Sequence, residues 1–131
     1  MTVPHVRLPR ILVVEDDAMI GALLTELLQD LGYDVCPIAA TEVGAVSAAA
    51  RYRPDLMIVD LQLADGSGVS AMTRIEQAGR VSHIFMSGDV SQPATPGIVL
   101  LHKPFRQTDL VQAIEQALGG AMPNGTTPGA I

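Results

Sequence analysis

The chain has no tryptophan, and only 3% of its 131 residues are aromatic. Its core must therefore be built from Leu, Ile, Val, Ala and Met, within a hydrophobic content of 48%. Cysteine is almost missing too. Cys36 stands alone, so no internal disulfide can form, and its ordinary role is that of a small buried hydrophobe. Positive charge is scarce: 8 Lys and Arg against 14 Asp and Glu give a net charge of −6 and a pI near 4.8. That balance excludes nonspecific nucleic-acid binding, which needs clustered cations. No apolar run approaches the ~20 residues of a membrane span, and residues 1–10 hold no signal-peptide core. His5, His83 and His102 share no ligand spacing, and there is no Cys/His zinc pattern or Ser-His-Asp arrangement. These absences predict a soluble, cytoplasmic, single-domain protein with neither a membrane nor a nucleic-acid partner.

What is present is alternation. Ile11-Leu12-Val13-Val14, Leu56-Met57-Ile58-Val59 and Ile98-Val99-Leu100-Leu101 are apolar at consecutive positions, the mark of strands buried on both faces of a parallel sheet. Strands are expected at 10–15, 33–38, 55–60, 81–87 and 98–102. Pro37 shortens the second and marks it as an edge. A helix follows the first strand, with Ile20, Leu23, Leu24, Leu27, Leu28 and Leu31 in one stripe. Asp16 or Asp17 can cap its start, and Gly32 suits its left-handed end. A second helix runs from an N-cap at Thr41 to Tyr52 and stops before Pro54, with Arg51 and Arg53 at its negative end. Gly68 opens a third, with Val69, Met72 and Ile75 facing inward and Gly79 at its end. The last spans about 107–118, with Leu110, Ile114, Ala117 and Leu118 buried. Residues 88–97 contain Pro93, Pro96, Gly88 and Gly97, which leaves room for one helical turn at most. Residues 1–9 read as a leader, 10–118 as the domain and 119–131 as a disordered tail.

Each strand end carries chemistry. Glu15-Asp16-Asp17 follows the first strand, Asp60 closes the third, Ser87-Gly88 closes the fourth, and Lys103 follows the fifth. In parallel α/β sheets the carboxyl ends of the strands line the ligand crevice, so these groups are expected to converge. A carboxylate can accept a phosphoryl group to give an acyl phosphate. Clustered acids repel by about 4 kcal/mol per pair at ~4 Å and an effective dielectric of 20, which a hard divalent cation relieves. Taken singly, each has a plainer reading: Asp60 as a turn cap, the acids as helix N-terminal residues, Ser87-Gly88 as a turn.

In this order, Ile11 to Asp17, Asp55 to Asp60 with Gly68, Phe85-Met86-Ser87-Gly88, and Lys103-Pro104-Phe105 resemble the receiver domain of bacterial two-component response regulators. The resemblance covers about residues 10–118. It implies a flavodoxin-like doubly wound α/β fold, a five-stranded parallel sheet in the order 2-1-3-4-5, with the fourth helix short or absent. It further implies that Asp60 accepts a phosphoryl group from the phosphohistidine of a sensor histidine kinase or histidine phosphotransfer protein. Mg²⁺ would be held by Asp16 and Asp60, by Glu15 through a water, and by the Gln62 backbone carbonyl. Ser87, Gly88 and Lys103 would hold the phosphoryl oxygens, and Lys103-Pro104 would be cis. Such a protein is no enzyme, although it assists its own phosphorylation and dephosphorylation, and it signals to an unidentified downstream protein by contact.

Three positions depart from the family pattern. Leu100 stands where an aromatic switch residue is usual, Ala64 where a proline is usual, and the crossover at 88–97 is short. The last matches single-domain receivers whose fourth helix is reduced, acting as a relay intermediate, a phosphate sink or a direct regulator. Two other readings compete. A Mg²⁺-dependent phosphohydrolase would use Asp60 as nucleophile, but Gln62 stands where such enzymes need a second acid. A degenerate receiver, acting only as an interaction module, would not need the full set of Glu15, Asp16, Asp60, Ser87 and Lys103.

Overall fold

A computed structural model of the chain describes residues 8–89 and 96–119. The predicted leader up to residue 7, the tail from 120, and residues 90–95 of the short crossover lie outside the described residues. Five strands form one parallel sheet: β1 Arg10–Val14, β2 Asp34–Val35, β3 Leu56–Asp60, β4 Ser82–Ser87 and β5 Val99–His102, in the order β2-β1-β3-β4-β5. Four α-helices are described: α1 Ala18–Asp30, α2 Glu42–Tyr52, α3 Gly68–Ile75 with a 3-10 turn at Glu76–Ala78, and α4 Gln107–Gly119. This is the flavodoxin-like order expected from the sequence, and the described residues between β4 and β5 contain no helix.

The consecutive apolar runs explain the layers. Successive side chains of a strand point to opposite faces. Ile11, Val13, Ile58, Ile84 and Met86 therefore pack with Leu24 and Leu28 of α1 and Leu110 and Ile114 of α4 on one face. Leu12, Val14, Met57, Val59 and Phe85 pack with Ala45 of α2 and Ala71, Met72 and Ile75 of α3 on the other. Each fully buried side chain of this size contributes about 1.5–3 kcal/mol, and truncating Leu28 to alanine would cost about 2–5 kcal/mol.

The helix termini follow local chemistry. Asp17 is the cap of α1: its Oδ1 accepts from the backbone of Met19 at 2.9 Å and Ile20 at 3.1 Å. Thr41 Oγ1 accepts from Gly44 at 2.9 Å and Ser67 Oγ from Ser70 at 3.1 Å, opening α2 and α3. Tyr52 ends α2, as Pro54 requires, and Arg53 turns the chain in the left-handed region with φ 48°.

Some expectations need correction. The second strand is confined to Asp34–Val35, not 33–38, because Pro37 has no N–H to donate. Cys36 and Ala39 still donate to Ile11 and Val13, so the chain stays bound to the edge. The first, third, fourth and fifth strands each lose a residue at one end, to 10–14, 56–60, 82–87 and 99–102. Leu23 is 59% exposed and Val69 54%, although both lay on predicted inner faces. α1 presents the narrow line of Gly21, Leu24 and Leu28 to the sheet, which turns Leu23 outward. In α3 the inward line is Gly68, Ala71, Met72 and Ile75, one residue round from Val69.

Candidate functional site

Parallel register puts the strand ends on one edge. Val14 lies opposite Val59, Asp60 opposite Met86, and Ser87 opposite His102. The residues at or just past those positions, Glu15, Asp60, Ser87 and Lys103, therefore share one pocket rim. Four backbone bonds fix them: Glu15 N–H to Ala39 O at 2.9 Å, Lys103 N–H to Ser87 O at 2.8 Å, Leu61 N–H to Met86 O at 2.9 Å, and Gly68 N–H to Leu61 O at 3.0 Å. Gly68 is needed for space, since a Cβ there would overlap the Asp60 carbonyl oxygen and crowd Val59.

At the centre, the Lys103 ammonium donates to Glu15 Oε1 and to Asp60 Oδ2, each at 2.7 Å. Glu15 and Asp60 are buried, at 2% and 7% exposure. Burial pushes the Glu15 carboxyl above its ordinary range, and the Lys103 ammonium and Asp17 N–H only partly offset that. Burial pulls Lys103 down, but its bonds to Asp60 and Glu15 outweigh it and leave the ammonium raised. Lys103 is therefore charged at any physiological pH, and Lys103-Pro104 is cis, as expected.

Asp16 is more exposed and accepts from Ala64 N–H at 2.6 Å, which ties the segment after β1 to the loop after β3. Glu15, Asp16 and Asp60 each offer an oxygen within 4.8 Å of the others. One ammonium faces three carboxylates, so the pocket keeps an excess of negative charge. The donors are hard oxygens, and the set fits a hard divalent cation of the Mg²⁺ kind. Both Glu15 oxygens are engaged, Oε1 by Lys103 and Oε2 by Asp17 N–H at 3.1 Å, which favours Asp16 and Asp60 as direct ligands. Gln62 donates its N–H to Asp60 Oδ1 at 3.1 Å and bridges to Ser67, which anchors its peptide beside the acids.

A cleft of about 390 Å³ opens beside Asp60, lined by Leu61, Gln62, Ser87, Gly88 and Asp89. Ser87 Oγ accepts from Asp89 N–H at 3.0 Å. Among the described residues, an added Cβ at Gly88 would meet nothing within 4 Å. All the sequence-predicted site residues thus meet at this rim. His83 lies apart and half-buried, its ring on Phe85 edge-to-face at 5.0 Å and its Nδ1 2.8 Å from Val81 O.

One supporting residue escaped the sequence reading. Glu42, in the first turn of α2, accepts from Ser67 N–H at 3.1 Å, Ser70 Oγ at 2.7 Å and Arg74 at 3.1 Å. These bonds hold its carboxyl below the ordinary range. They clasp the loop between β3 and α3 against α2, and Gly66, at φ +97°, leaves the room. The sequence signal was faint: an acid just after a helix cap, which the dipole alone explains.

Residues 11–115 match the response regulator receiver domain family. The phyllosphere-induced regulator PhyR of Methylorubrum extorquens is 35% identical over 82% of this chain and 43% of its own length. The transcriptional regulatory protein PdtaR of Mycobacterium tuberculosis is 33% identical over 83% of this chain and 56% of its own length. The chain spans about half the length of these curated relatives. In three dimensions it is similar to the PhyR response regulator REC domain of Erythrobacter litoralis, with a TM-score of 0.74 and 31% identity over 86% of this chain and 91% of that one.

Proposed function

This chain belongs to the response regulator receiver domain family, and from that membership we propose that Asp60 is its phosphoacceptor. The observation that carries the reading is the Lys103 ammonium, 2.7 Å from both Asp60 and Glu15, with Asp16 completing a tight set of acids. The donor is a phosphohistidine on a sensor histidine kinase or a histidine phosphotransfer protein. An Asp60 carboxylate oxygen attacks phosphorus in line. The O–P bond forms as the N–P bond breaks, and the electron pair returns to the imidazole nitrogen.

The pocket's own groups meet the charge this brings. Phosphorylation adds about −1.5 to −2, and Lys103 is held by Glu15 where it can follow the new oxygens. The Ser87 hydroxyl and the Gly88 N–H face the same cleft and act as donors to the phosphoryl group. Mg²⁺ held by Asp16, Asp60 and the Gln62 carbonyl, with Glu15 acting through water, would supply the remaining positive charge. The phosphorylated protein then signals by contact with another protein.

The test is incubation with Mg²⁺ and acetyl phosphate, read by intact mass. Wild type should gain one phosphoryl group, and Asp60→Asn or wild type with a chelator should gain none. Equal labelling of Asp60→Asn would overturn the assignment.

A further inference from the structure

The far end of the molecule carries a second feature. A cleft of about 500 Å³ lies between the C-terminal ends of α2 and α3, at the end of the sheet where β3 and β4 begin. Its floor is apolar, with Val46 and Ala49 from α2, Ile75 from α3, and Val81. Three of the chain's 8 cationic side chains, Arg53, Arg74 and Arg80, stand around it. Glu76 accepts from the Val81 N–H at 3.2 Å and Glu42 pairs with Arg74, so against these acids Arg53 and Arg80 are the cations left over on an apolar surface of a chain of net charge −6.

Helix capping does not account for these cations. The carbonyls at the end of α2 are met by the Arg53 backbone N–H, which donates to Ala49 O. Those at the end of α3 are met by the Glu76 N–H, which donates to Arg74 and Met72. The Arg74 guanidinium pairs with Glu42 at 3.1 Å. The exposed Arg53 and Arg80 side chains have no ion-pair partner among the described residues. Arg53 also sits at φ 48°, a conformation that glycine takes at the least cost, so a long cation occupies a place where local folding favours its absence.

We propose that this cleft docks an acidic amphipathic segment of a partner protein. Carboxylates of the segment pair with Arg53 and Arg80, and its apolar side chains settle on Val46, Ile75 and Val81. Charge complementarity selects the occupant, because in a chain of net charge −6 two cations unpaired among the described residues, on one apolar surface, attract an acidic segment there. Nucleic acid would meet the arginines but leave the apolar floor unused. The cleft opens at the opposite end of β3 from Asp60, so an occupant leaves the phosphoacceptor pocket free.

The probe is a short fluorescein-labelled peptide with Glu and Leu at helical spacing, titrated by anisotropy. Oligoglutamate and single-stranded DNA of equal charge serve as comparisons. The Arg53→Gly/Arg80→Gln double variant relieves backbone strain and removes no ion pair, so it should fold at least as well as wild type and still accept phosphate. Its affinity for the peptide should fall by about tenfold or more, since two charge-assisted contacts go together. Amide shifts on binding should centre on Val46, Ala49, Ile75 and Val81. Equal affinity in wild type and variant, absence of saturable binding, or shifts centred elsewhere would overturn the proposal. DNA binding tighter than the peptide, or oligoglutamate binding as tightly, would overturn the class of occupant.

Discussion

Replacing Lys103 by methionine is the sharpest perturbation this structure offers. The ammonium lies 2.7 Å from each of two buried carboxylates, and at an effective dielectric of 20 each contact is worth about 6 kcal/mol of Coulomb attraction. Desolvation offsets most of that, and breaking a buried pair usually costs about 3–5 kcal/mol. Here there is a ceiling, because Glu15 can escape by taking a proton. Against its reference value of 4.5, protonating it at pH 7 costs about 3.4 kcal/mol, at ~1.36 kcal/mol per pH unit. Lys103→Met should therefore destabilise the metal-free protein by about 2–3.4 kcal/mol at pH 7, or roughly 6–15 °C in Tm. The pH dependence has a definite sign. Without the ammonium that lowers it, Glu15 in the variant rises further above its unfolded value than in wild type, and such a carboxyl contributes most below pH 4.5 and loses that contribution as pH rises. The deficit of the variant should thus shrink by up to ~1.4 kcal/mol per pH unit on going from pH 7 toward 4.5, and millimolar Mg²⁺ should shrink it at pH 7. Urea unfolding followed by circular dichroism, across pH and with or without Mg²⁺, measures all three. A deficit at pH 7 that persists unchanged at pH 4.5 would refute the claim that Lys103 acts by compensating buried charge.

Other consequences are simpler to check. Gly68→Ala forces a methyl group against the Asp60 carbonyl oxygen, so it should cost about 1–3 kcal/mol in urea unfolding and slow labelling by acetyl phosphate. Ser87→Ala should leave unfolding within about 1 kcal/mol of wild type but slow phosphoryl uptake about tenfold or more in a time course by intact mass. Glu42→Gln should lower Tm at pH 7. Because its carboxyl is held below the ordinary range, the lost stability is present above pH 4.5 and disappears as pH falls through the depressed value. The Tm gap between Glu42→Gln and wild type should therefore close in acid, and a constant gap would mean packing rather than charge.

Much of this arrangement was legible in the chain itself. Strands buried on both faces announce themselves as unbroken apolar runs, and the ends of α2 at Thr41 and Tyr52 follow from capping and proline geometry, whereas α3 stops at Ile75 and only its 3-10 extension reaches Gly79. Once the strands are parallel, Glu15, Asp60, Ser87 and Lys103 have nowhere to go but one edge. What failed was orientation around a helix axis. Leu23 and Val69 fit an apolar period, yet the sheet covers a stripe narrower than the sequence supplies, and small Gly21 and Gly68 take the closest positions. The Glu42 clasp was hidden because its partners Ser67, Ser70 and Arg74 are ordinary polar residues whose meeting depends on how α2 lies beside α3. Arg53 was read as a dipole partner, and its left-handed backbone was invisible because arginine rarely adopts it.

The tips of β1, β3, β4 and β5 each contribute to the pocket around Asp60, while β2, one of the two edge strands, contributes none of its described residues. No contiguous fragment owns the pocket: a chain cut before residue 103 keeps its acids without their counter-charge. With Asp60 as the proposed phosphoacceptor, uptake of phosphate would be an integrity check on the assembled sheet. On that reading a misfolded or clipped copy would take up no phosphate and send no false signal.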